Sequence, residues 1–142
     1  VQGDAVEKLR ALAAGWEEGA RPDAETREAW SSTELQLYLQ DLPRVMDDAG
    51  CAWLDETFKL DGQGNYEVLV EWLTIAAGSA YEPCLPRVRQ VLTDMGRMKY
   101  LKPLYQALKN NENTLAMARE VFEAVKDTYH PIAKGALEGL LE

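Results

Sequence analysis

The sequence predicts an all-α protein, and three observations carry that reading. Apolar residues recur at helical spacing through nearly every segment of the 142 residues. Helix-start signals alternate with glycines and prolines at the places where helices should stop. No segment shows the strict apolar–polar alternation of a half-buried strand. Short connections make successive helices antiparallel neighbours. Paired helices in series read as a stacked two-layer array of about eight helices, although no repeat recurs at a fixed period. At this length a single helical domain over residues 1–142 is expected.

The elements follow in order. Asp4 is a candidate N-cap for the first helix, with Glu7 completing a capping box and Val6, Leu9, Leu12, Ala13 and Trp16 on its apolar stripe. Gly19 ends it, and Ala20–Trp30 reads as a polar connection containing Pro22. Ser31 and Glu34 form a second capping box, opening a helix with Leu35, Leu37, Leu39 and Leu42 that Pro43 closes. A third helix spans about Asp48 to Lys59, with Trp53, Leu54 and Phe58 inside. Asp61–Asn65 is a turn cluster, and Asn65 caps the apolar helix through Leu69, Val70, Leu73 and Ala77.

Pro83 and Pro86 fall in the first turn of the next helix, where proline is tolerated. Val88, Val91, Leu92 and Met95 are its stripe, and Gly96 suits the position just past its end. Pro103 implies a helix starting near Leu101, with Arg97–Tyr100 irregular before it. Asn113 is the expected cap of a long helix through Leu115, Ala118, Val121, Phe122 and Val125. His130-Pro131 reads as an N-cap followed by a proline in the first helical position of a last helix to Glu142.

Composition excludes several function classes. Apolar residues make up 46% and charged residues 27%, which is ordinary for a globular chain and argues against disorder. One histidine cannot supply a two- or three-His zinc site, and two cysteines cannot supply a four-Cys site, so no metal is expected in this chain. Cys51 and Cys84 sit in apolar helical surroundings and are expected to be buried thiols, which fits a reducing cytoplasm. A net charge of −9 argues against nucleic acid as a general partner. No apolar run approaches the roughly 18 residues of a membrane span, and no signal peptide opens the chain, so no membrane partner is expected.

The charge is uneven. Residues 1–71 hold 16 acidic and 6 basic side chains, whereas residues 72–142 hold 8 and 9. Within 87–109, Arg87, Arg89, Arg97, Lys99, Lys102 and Lys109 face only Asp94, a local net charge of +5.

The centre of that basic stretch is Gly96-Arg97-Met98-Lys99-Tyr100. If extended, it points Arg97 and Lys99 the same way, because side chains alternate with period two. A guanidinium fork and an ammonium beside a helix N-terminus suit a carboxylate or phosphate. The blander expectation is a solvated loop, or one paired with Asp and Glu of the acidic half. Asp61-Gly62-Gln63-Gly64-Asn65 only faintly resembles a calcium loop. Tyr66 stands where that loop requires glycine and Trp72 where it closes with glutamate, so an ordinary turn is expected. His130 has no matched Ser or Cys nucleophile and reads as a cap, while Trp16, Trp30, Trp53 and Trp72 read as apolar anchors. No catalytic residue is expected in this chain.

The stretch DMGRMKYLKPLYQAL, Asp94–Leu108, is the most distinctive part of the sequence, followed by Ala-Arg-Glu-Val-Phe and Tyr-His-Pro in Ala118–Pro131. Both resemble the C-terminal helical domain of leukotriene-A4 hydrolase and its aminopeptidase B-like relatives in the M1 family of zinc metallopeptidases. The resemblance runs more loosely upstream to the first helix. It implies an armadillo-like, two-layer, right-handed α–α superhelix. It also implies that the chain is the last part of a larger cytoplasmic aminopeptidase.

In that family zinc lies on a separate catalytic domain, held by a His-Glu-x-x-His motif and a distant Glu. Neither this motif nor the family's Gly-x-Met-Glu-Asn motif occurs here. The implied partners are the catalytic and N-terminal domains of the same polypeptide and a peptide substrate. The matching arginine and lysine reach into the cleft and recognise the substrate carboxylate. Carried over, these are Arg97 and Lys99, with Gly96 and Pro103 positioning the loop, and Tyr100 replaces a common Phe. A stand-alone helical-repeat module, its basic stretch meeting an acidic partner, is the alternative reading.

Overall fold

The structure is a computed structural model that describes residues 2–142, with side chains from Val6 onward. The described residues form nine α-helices and no strand: α1 (Gln2–Ala14), α2 (Ala24–Glu28), α3 (Ser32–Asp41), α4 (Asp48–Phe58), α5 (Tyr66–Gly78), α6 (Leu85–Asp94), α7 (Met98–Leu108), α8 (Glu112–Val125) and α9 (Pro131–Leu141). Short 3-10 turns at Trp16–Glu18, Leu60–Gly62, Glu82–Cys84 and Lys126–Thr128 join them.

Alternate helices pack side by side. In one layer α1 lies against α3, α3 against α5, α5 against α7 and α7 against α9. In the other, α6 lies against α8, and both also touch helices of the first layer. This is the two-layer array that the sequence predicts. At its centre is α5. Val68, Leu69, Val70, Trp72, Leu73, Ile75, Ala76 and Ala77 are all buried, which leaves Glu67, Glu71 and Thr74 as its half-exposed stripe. At the N-terminal end, Trp16, Trp30, Tyr38, Trp53 and Phe58 form one aromatic cluster with ring centroids 5.0–6.1 Å apart. Trp16 and Trp72 are buried, and Trp30 and Trp53 pack half-buried against the core.

Several local expectations hold. Ser31 and Glu34 make both hydrogen bonds of the capping box. Asn65 accepts from the Glu67 amide at 3.0 Å. His130 Nδ1 accepts from the Ile132 amide at 3.1 Å, with Pro131 next to it in the first helical position. Both cysteines are buried and free. The expected Asp4 cap is corrected, because α1 already begins at Gln2 and Asp4 lies inside it; the Asp4 side chain lies outside the described residues.

Others are corrected. The Ala20–Trp30 connection contains α2, which Asp23 caps by accepting from the Thr26 amide at 2.8 Å. The long helix α8 starts at Glu112, with its N-cap at Asn111, two residues before the expected cap Asn113. The reason is tertiary. The Asn111 side-chain Nδ2 donates to the Gly78 carbonyl at 3.3 Å, and buried Thr114 donates to the Leu108 carbonyl at 2.5 Å. Gly96 follows the end of α6 but does not take a left-handed φ, which among the described glycines only Gly19 does, at 92°. It also stands in open space, so neither conformation nor packing demands glycine there.

Candidate anion-binding site at the start of α7

The sequence places Pro103 at the opening of a helix, but the structure places it inside α7, which begins at Met98. The stripe explains the earlier start. Met98 and Leu101 extend the apolar face of Leu104, Tyr105 and Leu108 back by a turn, and burial of Tyr100 and Leu101 fixes that turn against α5. The amides of Tyr100 and Leu101 both donate to the Arg97 carbonyl at 3.0 Å, so Arg97 is the N-cap. Pro103 has no amide hydrogen for the Lys99 carbonyl, so that helical bond is missing. The extended alternation expected for Arg97–Tyr100 is therefore absent, and Lys99 lies in the first turn of α7.

The two cations nevertheless converge, around an acid that sequence spacing does not identify. Glu67 lies in the first turn of α5, and its Oε1 accepts from Lys99 Nζ. Tyr100 Oη stands 3.4 Å from the same oxygen. The Tyr100 ring lies under both cations, with the Arg97 guanidinium carbon 5.4 Å and Lys99 Nζ 5.9 Å from its centroid. The Lys99 hydrogen bond is the main cause holding the Glu67 carboxyl below its usual range, with the Lys99, Tyr100 and Arg97 contributions behind it. Arg97 and Lys99 are exposed, and Arg97 makes no ion pair with a described residue. Lys99 thus realises the pairing with the acidic half, while Arg97 faces solvent.

A turn further along, Pro103 lines an open groove of about 310 Å³ with Arg44, Thr74, Gln106, Ala107 and Asn110. Arg44 closes the end of α3. Its guanidinium donates to the Leu39 carbonyl, to Gln40 at 3.1 Å and to Leu42 at 2.9 Å. It also pairs with Glu71, one turn beyond Glu67, at 3.5 Å. Desolvation is the leading influence on both, raising the Glu71 carboxyl and lowering the Arg44 guanidinium from their ordinary values. Among the described residues, no three His, Cys, Asp or Glu side chains come together as a metal site, and no helix is long and apolar enough to cross a membrane.

The fold places the chain among two-layer all-α proteins. Residues 30–141 match the family described as leukotriene A4 hydrolase, C-terminal, and the chain belongs to it. It is 28% identical over 141 residues to leucine aminopeptidase 2 of Yarrowia lipolytica and 35% identical over 116 residues to leucine aminopeptidase 2 of Phaeosphaeria nodorum. These alignments cover 91% and 77% of this chain but 22% and 18% of those proteins. The chain therefore spans about a fifth of the curated relatives it matches. The solved structure of native yeast LTA4 hydrolase shares the fold, with a TM-score of 0.71 over 97% of this chain and 24% of that one, at 23% identity.

Proposed function

We propose that this chain walls one side of the substrate cleft of a cytoplasmic zinc aminopeptidase, and that Arg97 and Lys99 hold the free carboxylate of a peptide. The observation that carries the reading is the convergence of two exposed cations at the N-terminus of α7. Aligned amides at a helix start favour an anion. Arg97 is free to present a bidentate fork, and Lys99 adds a point charge. The family membership and the relatives named leucine aminopeptidase 2 support the peptide substrate.

In this reading the catalytic and N-terminal domains belong to the same polypeptide. Zinc on the catalytic domain would supply an activated water. The residues of this chain bind and orient, which raises the rate by fixing the substrate before the chemical step.

The test is Arg97→Ala in the full-length enzyme. A charge-assisted hydrogen bond contributes about 1.5–3 kcal/mol, so kcat/KM for short peptides with a free carboxylate should fall by roughly 10- to 100-fold. The same peptides with an amidated C-terminus should lose much less. Equal losses on both would remove the carboxylate role.

A further inference from the structure

We infer that Glu67 is the positioning residue for carboxylate recognition, tethering Lys99 so that its remaining donors are aimed at the ligand held by Arg97. The inference rests on the carboxylate-binding role proposed above for Arg97 and Lys99.

A lysine ammonium carries three donors on a flexible four-carbon stem. On an exposed first turn such a group samples many rotamers, and ordering it opposes binding. Here one donor is already committed to Glu67 Oε1, across the contact between α5 and α7. Glu67 stands on a fixed stretch of backbone. It sits next to Tyr66, whose ring packs 6.1 Å from that of Tyr100, and it follows the Asn65 cap, which holds its own amide at 3.0 Å. The Tyr100 hydroxyl reaches the same carboxylate oxygen at 3.4 Å, so Lys99 and Tyr100 share a single anchor. Two ammonium donors remain for an incoming anion.

Arg97 differs. Its guanidinium is over the Tyr100 ring and has no carboxylate partner among the described residues. The two cations therefore play unequal parts. Arg97 is the open fork, and Lys99 is a tethered charge whose place Glu67 decides.

A competing role predicts the opposite sign. If Glu67 merely occupied the site, removing it would free Lys99 and add net positive charge, so carboxylates would bind more tightly. As a tether, its removal returns Lys99 to solvent and weakens them.

The test compares Glu67→Ala, Glu67→Gln and Arg97→Ala in the full-length enzyme, each on a tripeptide with a free C-terminus and on its C-terminal amide. Ordering one rotamer-rich side chain costs enough to predict a KM rise of about 3- to 10-fold for Glu67→Ala on the free acid, with kcat little changed. Glu67→Gln keeps an acceptor for Lys99 and should recover part of that rise. The amide should respond to neither. A lowered KM for Glu67→Ala, or equal effects on acid and amide, overturns the tether. If Arg97→Ala also fails to distinguish acid from amide, the carboxylate site itself falls. If Arg97→Ala distinguishes them and Glu67→Ala does not, only the role of Glu67 falls. Matching thermal melts of the two Glu67 variants separate positioning from loss of fold.

Discussion

At the scale of single residues, the polar groups of the interior show which side chains cannot be exchanged. Tyr129 Oη donates to the Leu92 carbonyl at 2.5 Å and lies 2.8 Å from Tyr105 Oη. Tyr129 has one proton, and the carbonyl takes it, so Tyr105 must donate to Tyr129. The two phenylalanine substitutions are therefore unequal. Tyr105→Phe deletes one hydrogen bond and strands nothing that was donating, a loss of about 0.5–1.5 kcal/mol. Tyr129→Phe leaves both the Leu92 carbonyl and the Tyr105 hydroxyl without a partner, at about 1–3 kcal/mol for each group. Urea unfolding of the two variants should rank Tyr129→Phe as the more destabilised. The candidate site divides in the same way between what sequence spacing shows and what it hides. Arg97 and Lys99 stand out because two cations share a short segment. Glu67 is 32 residues from Lys99 and is one of 24 acids, so only the packing of α5 on α7 selects it.

At the scale of elements, three starts marked by side-chain caps are legible, while α2, a five-residue helix that Asp23 caps inside an expected connection, and the starts set by tertiary contact are not. Ser31, Asn65 and His130 each bond an amide two or three residues on, and all three helix starts read correctly. The start of α7 is misread because Pro103 is the loudest local signal, yet the buried face of Tyr100 and Leu101 outweighs it. The start of α8 is misread because Asn111 is fixed by the distant Gly78 carbonyl. Gly78 joins elements in a second way. A Cβ there would lie 2.8 Å from the Arg44 carbonyl oxygen and 3.2 Å from Asn110 Nδ2. The first contact is backbone and cannot rotate away. Gly78→Ala should separate the end of α5 from the Arg44 segment and cost about 1–3 kcal/mol as an overpacking change. Alanine favours helix more than glycine by about 1 kcal/mol, so a stabilised Gly78→Ala in thermal melts would show that the Arg44 segment yields freely.

At the scale of the whole molecule, the interior holds thiols and phenols that resist ionisation, and this sets an alkaline limit on the fold. Burial is the main cause in each case. The Cys51 thiol rises from 9.0 to about 11 and the Cys84 thiol from 9.0 to about 12, the latter with help from Asp55, whose carboxylate accepts from it at 3.8 Å. Tyr38 rises from 10.0 to about 12. Each folded-state value lies above the unfolded one, so the folded chain holds more protons and stability falls as pH rises. The contribution is complete below about pH 9 and is lost through about pH 11–12. Between pH 9 and 10 the thiols dominate, because unfolded tyrosine titrates near 10.0. Each thiol then approaches one proton of difference, a slope of about 1.4 kcal/mol per pH unit. Urea midpoints should drop steadily from pH 8 to pH 10.5, and a Cys51→Ala/Cys84→Ala chain should show a flatter drop over the first part of that range. Iodoacetamide at pH 8 should leave the native chain unmodified and label both cysteines once urea unfolds it. Rapid labelling of the native chain would mean that the α4–α5–α6 interior opens locally without global unfolding.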